Sequence, residues 1–145
     1  LIPAKPSANV QKRLSGFYSV YPREAVHVIA TPLSKAGGRQ VVPEIFTTPA
    51  TAIFAVNDEI AFGVYLGMAE HGKRIPEDYS VIGYDDVEMC QYVAPQLTTI
   101  AQPIFELGQT TANQLLERIA NPRQPWEEHH LPVKLIVRNS TTHLN

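Results

Sequence analysis

Two adjacent carboxylates, Asp85 and Asp86, follow the apolar run SVIGY at residues 80–84. Neighbouring like charges repel each other, and a buried carboxylate is costly unless a hydrogen-bond donor meets it. Either the pair faces water in a loop, or one carboxylate accepts hydrogen bonds from the hydroxyls or amines of a ligand. A metal site is the weaker alternative, because the surrounding residues lack the spacing of a ligand set. Acid–base catalysis is also weak, because the pair has no nucleophile to serve.

Three further polar residues stand at positions where they could meet a ligand. Asn57 and Asp58 follow the apolar run TAIFAV (51–56). One of them could cap the next helix, which would leave the other to face a ligand. Arg13 stands in a predicted helix. It either lies on a solvated face or points its five donors into a cleft, where they would suit an oxygen-rich ligand.

Histidine and cysteine give little support to a metal or redox site. His129 and His130 are adjacent, and adjacent side chains rarely chelate one ion well. Cys90 is the single cysteine, so an internal disulfide and a multi-cysteine metal site are excluded. The sequence also lacks a dinucleotide-binding glycine motif, a phosphate loop and a nucleophile elbow. We therefore predict neither a metal nor a cofactor.

Alternating strand and helix patterns place these residues. The first half of the chain predicts a strand tail at 1–3, a helix at 9–20 capped by Asn9, a strand at 25–30, a helix at 35–46 capped by Ser34, a strand at 51–56, a helix at 57–72 and a strand at 79–84. This alternation is typical of an α/β fold with a doubly wound parallel sheet.

Such sheets bind ligands at the carboxyl ends of their strands. Polar side chains follow each predicted strand of this chain, and we expect them to share one rim of the sheet. That arrangement predicts a site for a small polar ligand. The polar residues at the strand ends are Ser7, Asn9, Thr31, Asn57, Asp58, Asp85 and Asp86.

The pattern changes from Thr98 onward. The stretch TTIAQP (98–103) is extended, and residues 103–119 form an amphipathic helix pattern with Pro103 at its first position. A polar linker at 121–130 and a strand at 131–137 follow. The helix has no obvious place on the first sheet, so we expect it to belong to a second lobe.

Composition limits the class of protein. The chain has 145 residues, of which 44% are hydrophobic, and a net charge of −2, so a globular domain is expected and a basic face for nucleic acid is not. No apolar run approaches the ~20 residues of a membrane span. The chain starts at Leu1 in what reads as a strand already under way, so we expect it to be part of a longer chain.

Several motifs together resemble the LacI/GalR family of bacterial transcription regulators. They are RLSGF (13–17), AVND (55–58), IPEDYSVIGYDD (75–86), LTTIAQP (97–103) and LPVKLIVRNST (131–141). The resemblance implies a cytoplasmic, periplasmic-binding-protein-like effector core that senses a small sugar or sugar-like metabolite, without enzymatic activity or cofactor. It also implies a homodimer, and an N-terminal helix-turn-helix that binds operator DNA and is absent from this chain.

The family architecture also divides the chain. By this resemblance, residues 1–98 form the C-terminal lobe of the effector core, residues 99–130 cross into the first lobe, and residues 131–145 return as a strand and tail of the C-terminal lobe.

The resemblance assigns roles to single residues of the site. Arg13, Asn9 and Asn57 match effector-contacting positions of the family. Asp85 matches the aspartate that accepts hydrogen bonds from effector hydroxyls, and Asp86 would serve the backbone of its own loop.

One position departs from the family pattern. Many members carry an aromatic residue that stacks on the effector, where this chain has Pro32 or Leu33. We predict that Leu33 and Ser7 complete the effector site.

A dimer surface follows from the same resemblance. In the family, the helix after the ND motif and the loop near YVAP (92–95) help to form the homodimer. We therefore predict an interface that contains Phe62, Tyr65 and Val93, although the periodicity of the helix also allows the first two to be core residues.

Two other classes of protein remain open. A periplasmic sugar-binding protein of a transport system would use the same site, and a signal peptide upstream would identify it. A phospho-receiver also has acidic strand ends, but it needs a lysine at a later strand end. Lys134 lies inside a predicted strand, which disfavours that class.

Overall fold

The structure is a computed structural model that describes residues 1–125 and 127–143. The described residues form a mixed α/β fold with five α-helices and four strands. The helices are α1 (Ala8–Tyr18), α2 (Lys35–Gln40), α3 (Val42–Ile45), α4 (Asp58–Glu70) and α5 (Ile104–Ala120). The strands are β1 (Ala52–Phe54), β2 (Ser80–Asp85), β3 (Thr98–Ala101) and β4 (Lys134–Ile136), and short 3-10 turns cover Arg23–Ala25 and Glu88–Gln91.

The sheet has the order β1-β2-β3-β4. Strands β1, β2 and β3 are parallel, and β4 joins the outer edge of β3 in the antiparallel direction. The α/β fold with a parallel sheet is therefore confirmed, with one antiparallel strand added at its edge. Because β1, β2 and β3 run the same way, the residues that follow them meet at one rim.

The first residues extend this sheet beyond β1. The Leu1 amine donates to the Phe54 carbonyl at 2.6 Å, and Ile2 forms a parallel bridge with Ala30. The carboxyl ends of these segments thus lie beside the carboxyl end of β1.

Helix α4 carries much of the core. Ile60, Val64 and Met68 are all fully buried. Helix α2 crosses α4 so closely that a Cβ at Gly38 would collide with the carbonyl of Ile60, and one at Gly63 would collide with the carbonyl of Lys35. Glycine is a poor helix former, yet Gly38 and Gly63 are the residues that let the two helices touch.

Three predictions about local structure are wrong. Helix α1 begins at Ala8, and Ser7 rather than Asn9 caps it by accepting a hydrogen bond from the Val10 amide at 3.4 Å. Residues 25–30 do not form a regular strand, because their pairing with the first segment is limited to the bridge at Ala30. Pro103 caps α5 instead of opening it.

The predicted helix at 35–46 is interrupted. Ser34 caps it as predicted, by accepting from the Gly37 amide at 3.1 Å. The helix ends at Gln40, and a second short helix follows with Pro43 near its start. Since proline lacks an amide donor, it fits the beginning of a helix better than its interior.

The tail after β4 is fastened to the sheet. The Ser140 hydroxyl donates to the Val81 carbonyl at 2.6 Å and accepts from the Thr98 amide at 2.7 Å. The Val81 amide donates to the Ser140 carbonyl at 2.8 Å. Ser140 is fully buried, so these bonds tie the tail to β2 and β3 without competition from water.

Helix α5 stands apart from this core. None of its residues is buried, and its large apolar side chains are 47–79% exposed. These apolar residues are Ile104, Phe105, Leu107, Leu115, Leu116 and Ile119. The prediction that residues 99–130 cross into another lobe fits this exposure and stays a prediction. None of the helices in residues 1–125 and 127–143 is long and apolar enough to cross a membrane.

Candidate functional site

The carboxylate pair lies at the carboxyl end of β2 in an unusual backbone conformation. Asp85 has φ 124° and Asp86 has φ 57°, although neither is glycine. Residues with side chains rarely occupy this half of conformational space, and each such residue costs of order 1–3 kcal/mol. The surrounding contacts must therefore hold the pair, and strained backbone of this kind clusters at binding sites.

Asp85 turns toward the rim of the sheet. Its Oδ1 accepts a hydrogen bond from Nε2 of Gln102 at 2.6 Å, and Gln102 directly follows β3. Burial raises the pKa of Asp85, while the Gln102 bond and the positive charge of Arg13 oppose that rise. Arg13 and Gln102 are thus the groups that favour the ionised form of this carboxylate.

Arg13 reaches the same rim from α1. Its guanidinium donates to the Val56 carbonyl at 2.6 Å and lies 3.5 Å from the centre of the Tyr84 ring. A cation over an aromatic face is attracted by the ring quadrupole. The side chain is therefore fixed between the carboxyl ends of β1 and β2, and does not lie on a solvated helix face.

Asn57 joins Arg13 at the end of β1 and caps α4. Its Oδ1 accepts a hydrogen bond from the Ile60 amide at 3.0 Å. Capping occupies the carbonyl oxygen of the side chain, so the NH2 group of Asn57 is not part of that bond. The prediction that one member of the Asn57–Asp58 pair caps this helix is confirmed.

The other member of that pair does not face a ligand. Asp58 is fully buried and accepts hydrogen bonds from Thr99, Val87 and Cys90. The expectation that it was free to reach the crevice is wrong, because the interior of the fold supplies its donors.

Asp86 also has a partner that the sequence did not indicate. Its carboxylate accepts from a guanidinium nitrogen of Arg138 at 2.7 Å, and a second nitrogen of Arg138 donates to the Leu97 carbonyl. The two side chains are only 23% and 12% exposed, so water screens this ion pair little. Asp86 therefore binds the tail, and the expectation that it serves its own loop backbone is replaced.

The remaining predicted site residues lie on neighbouring segments. Ser7 caps α1, Asn9 is exposed in the first turn of that helix, and Leu33 is 52% exposed in the turn before α2. All three follow carboxyl ends of extended segments, and their part in binding stays a prediction. The structure brings Arg13 and Asp85 together, and adds Gln102, which sequence reasoning missed.

Gln102 could have been found from its position. It follows β3 just as Asn57 follows β1, so the rule that singled out other strand ends applies to it as well. The pattern of TTIAQP predicts extended chain, and neither that pattern nor the family motif assigned a role to its glutamine.

The predicted dimer residues contribute to the core of this chain. Phe62 is only 8% exposed, and Tyr65 and Val93 pack against the core. Burial raises the pKa of Tyr65 to about 12, and the nearby Ser140 hydroxyl opposes that rise. Neighbouring side chains are more open, since Leu66 is 51% and Tyr92 71% exposed. The dimer interface stays a prediction.

Metal chemistry finds no support in the residues that the structure describes. No three histidine, cysteine, aspartate or glutamate side chains lie close enough there to hold an ion. His129 and His130 lie 3.8 and 3.4 Å from the carboxylates of Glu127 and Glu128, on an exposed segment.

A family model for the periplasmic binding protein-like domain matches residues 8–141. The chain belongs to this family. Among curated proteins, the ribose operon repressor of Haemophilus influenzae is 33% identical over 137 residues, which are 90% of this chain and 41% of the repressor. The transcriptional repressor PurR of Escherichia coli is 35% identical over 135 residues, which are 88% of this chain and 40% of PurR.

Two solved structures of LacI family regulators have higher sequence identity to this chain than these curated proteins. A LacI family transcriptional regulator from Enterococcus faecalis, crystallised with bound ribose, is 62% identical with a TM-score of 0.95 over 99% of this chain and 54% of its own. A LacI family regulator from Enterococcus faecium, also with bound ribose, is 51% identical with a TM-score of 0.93. This chain is therefore homologous to LacI-family regulators, and it spans about 40% of the length of the curated relatives it matches.

Proposed function

We propose that this chain is the sugar-sensing part of a LacI-type transcription regulator, and that its ligand is a pentose such as ribose. The observation that carries the proposal is the strained Asp85 at the sheet rim, held by Gln102 beside the stacked guanidinium of Arg13. Crystals of two relatives above 50% identity contain ribose, which favours a pentose among small sugars.

The chemistry of the rim suits a sugar. A sugar hydroxyl both donates and accepts, so it can donate to the Asp85 carboxylate and accept from Arg13 or from the NH2 of Asn57. Charge-assisted bonds of this kind are stronger than those between neutral groups. A ligand that lacks the matching hydroxyl leaves these groups unpaired when water is excluded, and specificity follows from that penalty.

Leu33 gives the site an apolar wall in place of an aromatic one. Its side chain is half exposed beside the predicted crevice. It can cover the C–H face of a small ring, whereas it offers less flat area to a larger sugar. Ser7 and Asn9 would supply further polar contacts from the start of α1.

In the whole protein, the same site would control DNA binding by linkage. Sugar and operator DNA would each favour one arrangement of the two lobes, so each shifts the affinity of the other. We infer a cytoplasmic homodimer whose helix-turn-helix lies outside this chain, and no catalytic step at the sugar. A transport protein is less favoured, because the curated relatives named above are repressors.

The test is an NMR titration of the chain with ribose, other pentoses, hexoses and nucleosides. With ribose, we expect the largest shift changes at the amides of Asn57, Asp85 and Gln102 and at the side chain of Arg13. Asp85→Ala should weaken binding by at least about tenfold, since a charged hydrogen-bond partner contributes about 1.5–3 kcal/mol.

Glu77→Ala is the matched control. Glu77 is an exposed carboxylate before β2, at the opposite end of that strand from Asp85, and its loss should leave ribose binding unchanged. Shift changes with nucleosides but not with sugars would replace the sugar claim. Equal binding by wild type and Asp85→Ala would remove Asp85 from the site.

A further inference from the structure

Asp58 is the only charged residue that is fully buried within residues 1–125 and 127–143. Three donors converge on its carboxylate. The Thr99 hydroxyl donates to Oδ1 at 2.6 Å, and the Val87 amide and the Cys90 thiol donate to Oδ2 at 3.0 and 3.2 Å. Asp58 is also the first residue of α4, where the positive end of the helix dipole favours a negative charge. Several polar groups of the interior thus donate hydrogen bonds to one carboxylate that no ligand can reach.

The positions of these donors show which segments the carboxylate of Asp58 holds in place. Val87 and Cys90 belong to the segment that leaves the Asp85–Asp86 pair, and Thr99 belongs to the adjacent strand β3. Asp85 and Asp86 occupy positive φ, so relaxation of that backbone would swing the next amide, which is that of Val87. That amide is bound to Asp58. The carboxylate therefore opposes the motion that would release the strain.

Two other contacts complete the fixation of the pair. Arg138 binds the side chain of Asp86 at 2.7 Å, and Gln102 binds the side chain of Asp85 at 2.6 Å. Both act on side chains, whereas Asp58 acts on the backbone that follows them. Of these three contacts, only that of Asp58 acts on the backbone, at the Val87 amide directly after the pair.

The sequence leaves room for this arrangement in β2. A Cβ at Gly83 would collide with Oδ1 of Asp58. The glycine two residues before Asp85 is therefore needed for the carboxylate to sit beside the strand. Gly83, Asp58 and Thr99 form one contact set across β2, α4 and β3.

We propose that Asp58 is a positioning residue of the sugar site: it touches no ligand, and it holds the strained backbone that aims Asp85 at the rim. This inference rests on the proposed function for its binding consequence. Its structural part, the restraint of φ at Asp85 and Asp86, stands independently of any ligand.

The first experiment needs no ligand. Three-bond couplings between the amide and α protons of Asp85 and Asp86 report φ, and hydrogen exchange reports the Val87 bond. Asp58→Asn replaces one acceptor oxygen by an NH2 group, so either the Thr99 hydroxyl must turn to accept from it or the Val87 amide and the Cys90 thiol lose their acceptor. The bonds that remain also lose the negative charge that strengthens them. We expect altered couplings at both aspartates and faster exchange at Val87. Thr99→Val, which removes one donor and keeps the shape, should give the same changes to a smaller degree.

The second experiment measures ribose binding in the same variants. We expect Asp58→Asn to weaken binding at least about tenfold, and Thr99→Ser, which keeps the hydroxyl, to restore most of what Thr99→Val loses. Met68→Ala is the control for stability alone, because Met68 is buried in α4 about 15 Å along the helix from Asp58. It should lower the melting temperature without changing couplings or affinity.

The outcomes separate the two claims. Normal couplings and full affinity in Asp58→Asn and Thr99→Val would overturn the positioning role. An equal loss of affinity in Met68→Ala would show that Asp58 acts only through stability, and it would overturn the positioning role as well. If the wild type binds no sugar while the couplings still change in Asp58→Asn, the proposed function fails and the restraint by Asp58 stands.

Discussion

A side chain that suits ligand binding at the rim can lower the stability of the protein without ligand, and Asp85 is the clearest case. Burial raises the pKa of Asp85, so the folded protein binds a proton there more tightly than the unfolded chain does. Its stabilising contribution is therefore present in full below the ordinary pKa of an aspartate, about 4, and is lost as pH rises through the raised pKa. At neutral pH, the ionised carboxylate reduces stability in the absence of ligand.

Asp85→Asn should therefore raise the melting temperature at pH 7, by about 2 °C. The amide keeps an oxygen for the Gln102 bond and carries no charge. The difference from wild type should shrink as pH falls through the raised pKa and vanish below about pH 4. Thermal unfolding from pH 3 to 8 checks this. A variant that is less stable than wild type at pH 7 would contradict it. Sugar binding should be weakened in the same variant, because the amide oxygen accepts without the charge of the carboxylate.

The sequence predicted this residue but not its surroundings. Two carboxylates after an apolar run are visible in one dimension, whereas their partners Gln102 and Arg138 lie 17 and 52 residues away. Asn57 and Asp58 are adjacent and similar in type, yet one caps a helix and the other is buried. Only the packing of β2 and β3 against α4 decides between them, and no local pattern encodes it.

Helices and strands were more predictable where their patterns were long. Helix α4 and the strands β1 and β2 lie within the predicted ranges or differ by one residue, because each buries a face that the hydrophobic pattern records. Residues 25–30 have strand-forming composition, but only Ala30 pairs with another segment, so they stay irregular. The helix predicted at 35–46 is divided into α2 and α3, because Pro43 lacks an amide donor and stands near the start of α3.

The contact between α2 and α4 depends on the absence of side chains at its centre. Gly63→Ala places a methyl group against the backbone carbonyl of Lys35, which cannot move aside as a side chain would. Overpacking of this kind costs about 1–3 kcal/mol, so we expect urea midpoints to fall accordingly. Gly108→Ala in α5 is the control, because nothing lies within 4 Å of the added group.

The control should gain stability where the test variant loses it. Alanine is a better helix former than glycine by about 0.8–1.0 kcal/mol, and Gly108 lies well inside α5. If Gly63→Ala proved as stable as wild type, α2 and α4 would have to lie further apart than the structure places them.

Across the residues that the structure describes, α5 is the one α-helix without a buried residue. The sheet, the first four helices and the tail are joined by hydrogen bonds and a common core, whereas α5 presents apolar residues to solvent. The described chain thus combines one packed lobe with an amphipathic helix whose apolar face is open. The division of the chain at residues 99–130 predicts that this face packs on a lobe formed by residues outside this chain.

Phe105 and Leu116 lie on this apolar face of α5 and are 79% and 64% exposed in this chain. Replacing both by glutamine, which suits a helix, should change the free energy of unfolding of this chain by no more than about 0.5 kcal/mol. Leu97→Ala, at a fully buried position, should cost about 2–5 kcal/mol in the same assay. Self-association, followed by sedimentation, should weaken in the double variant because its apolar surface is smaller.

The same double variant should be tested in a protein that contains both lobes, because the comparison shows whether α5 packs on the second lobe. If the apolar face of α5 packs on a second lobe, burial of each side chain contributes about 1.5–3 kcal/mol, and the double variant should destabilise a protein that contains both lobes. A variant that is harmless in both settings would show that this face stays in solvent. A variant that already destabilises this chain alone would show that α5 packs against the C-terminal lobe described here. Only the pattern of a harmless change in the short chain and a costly one in the long chain supports a crossing helix.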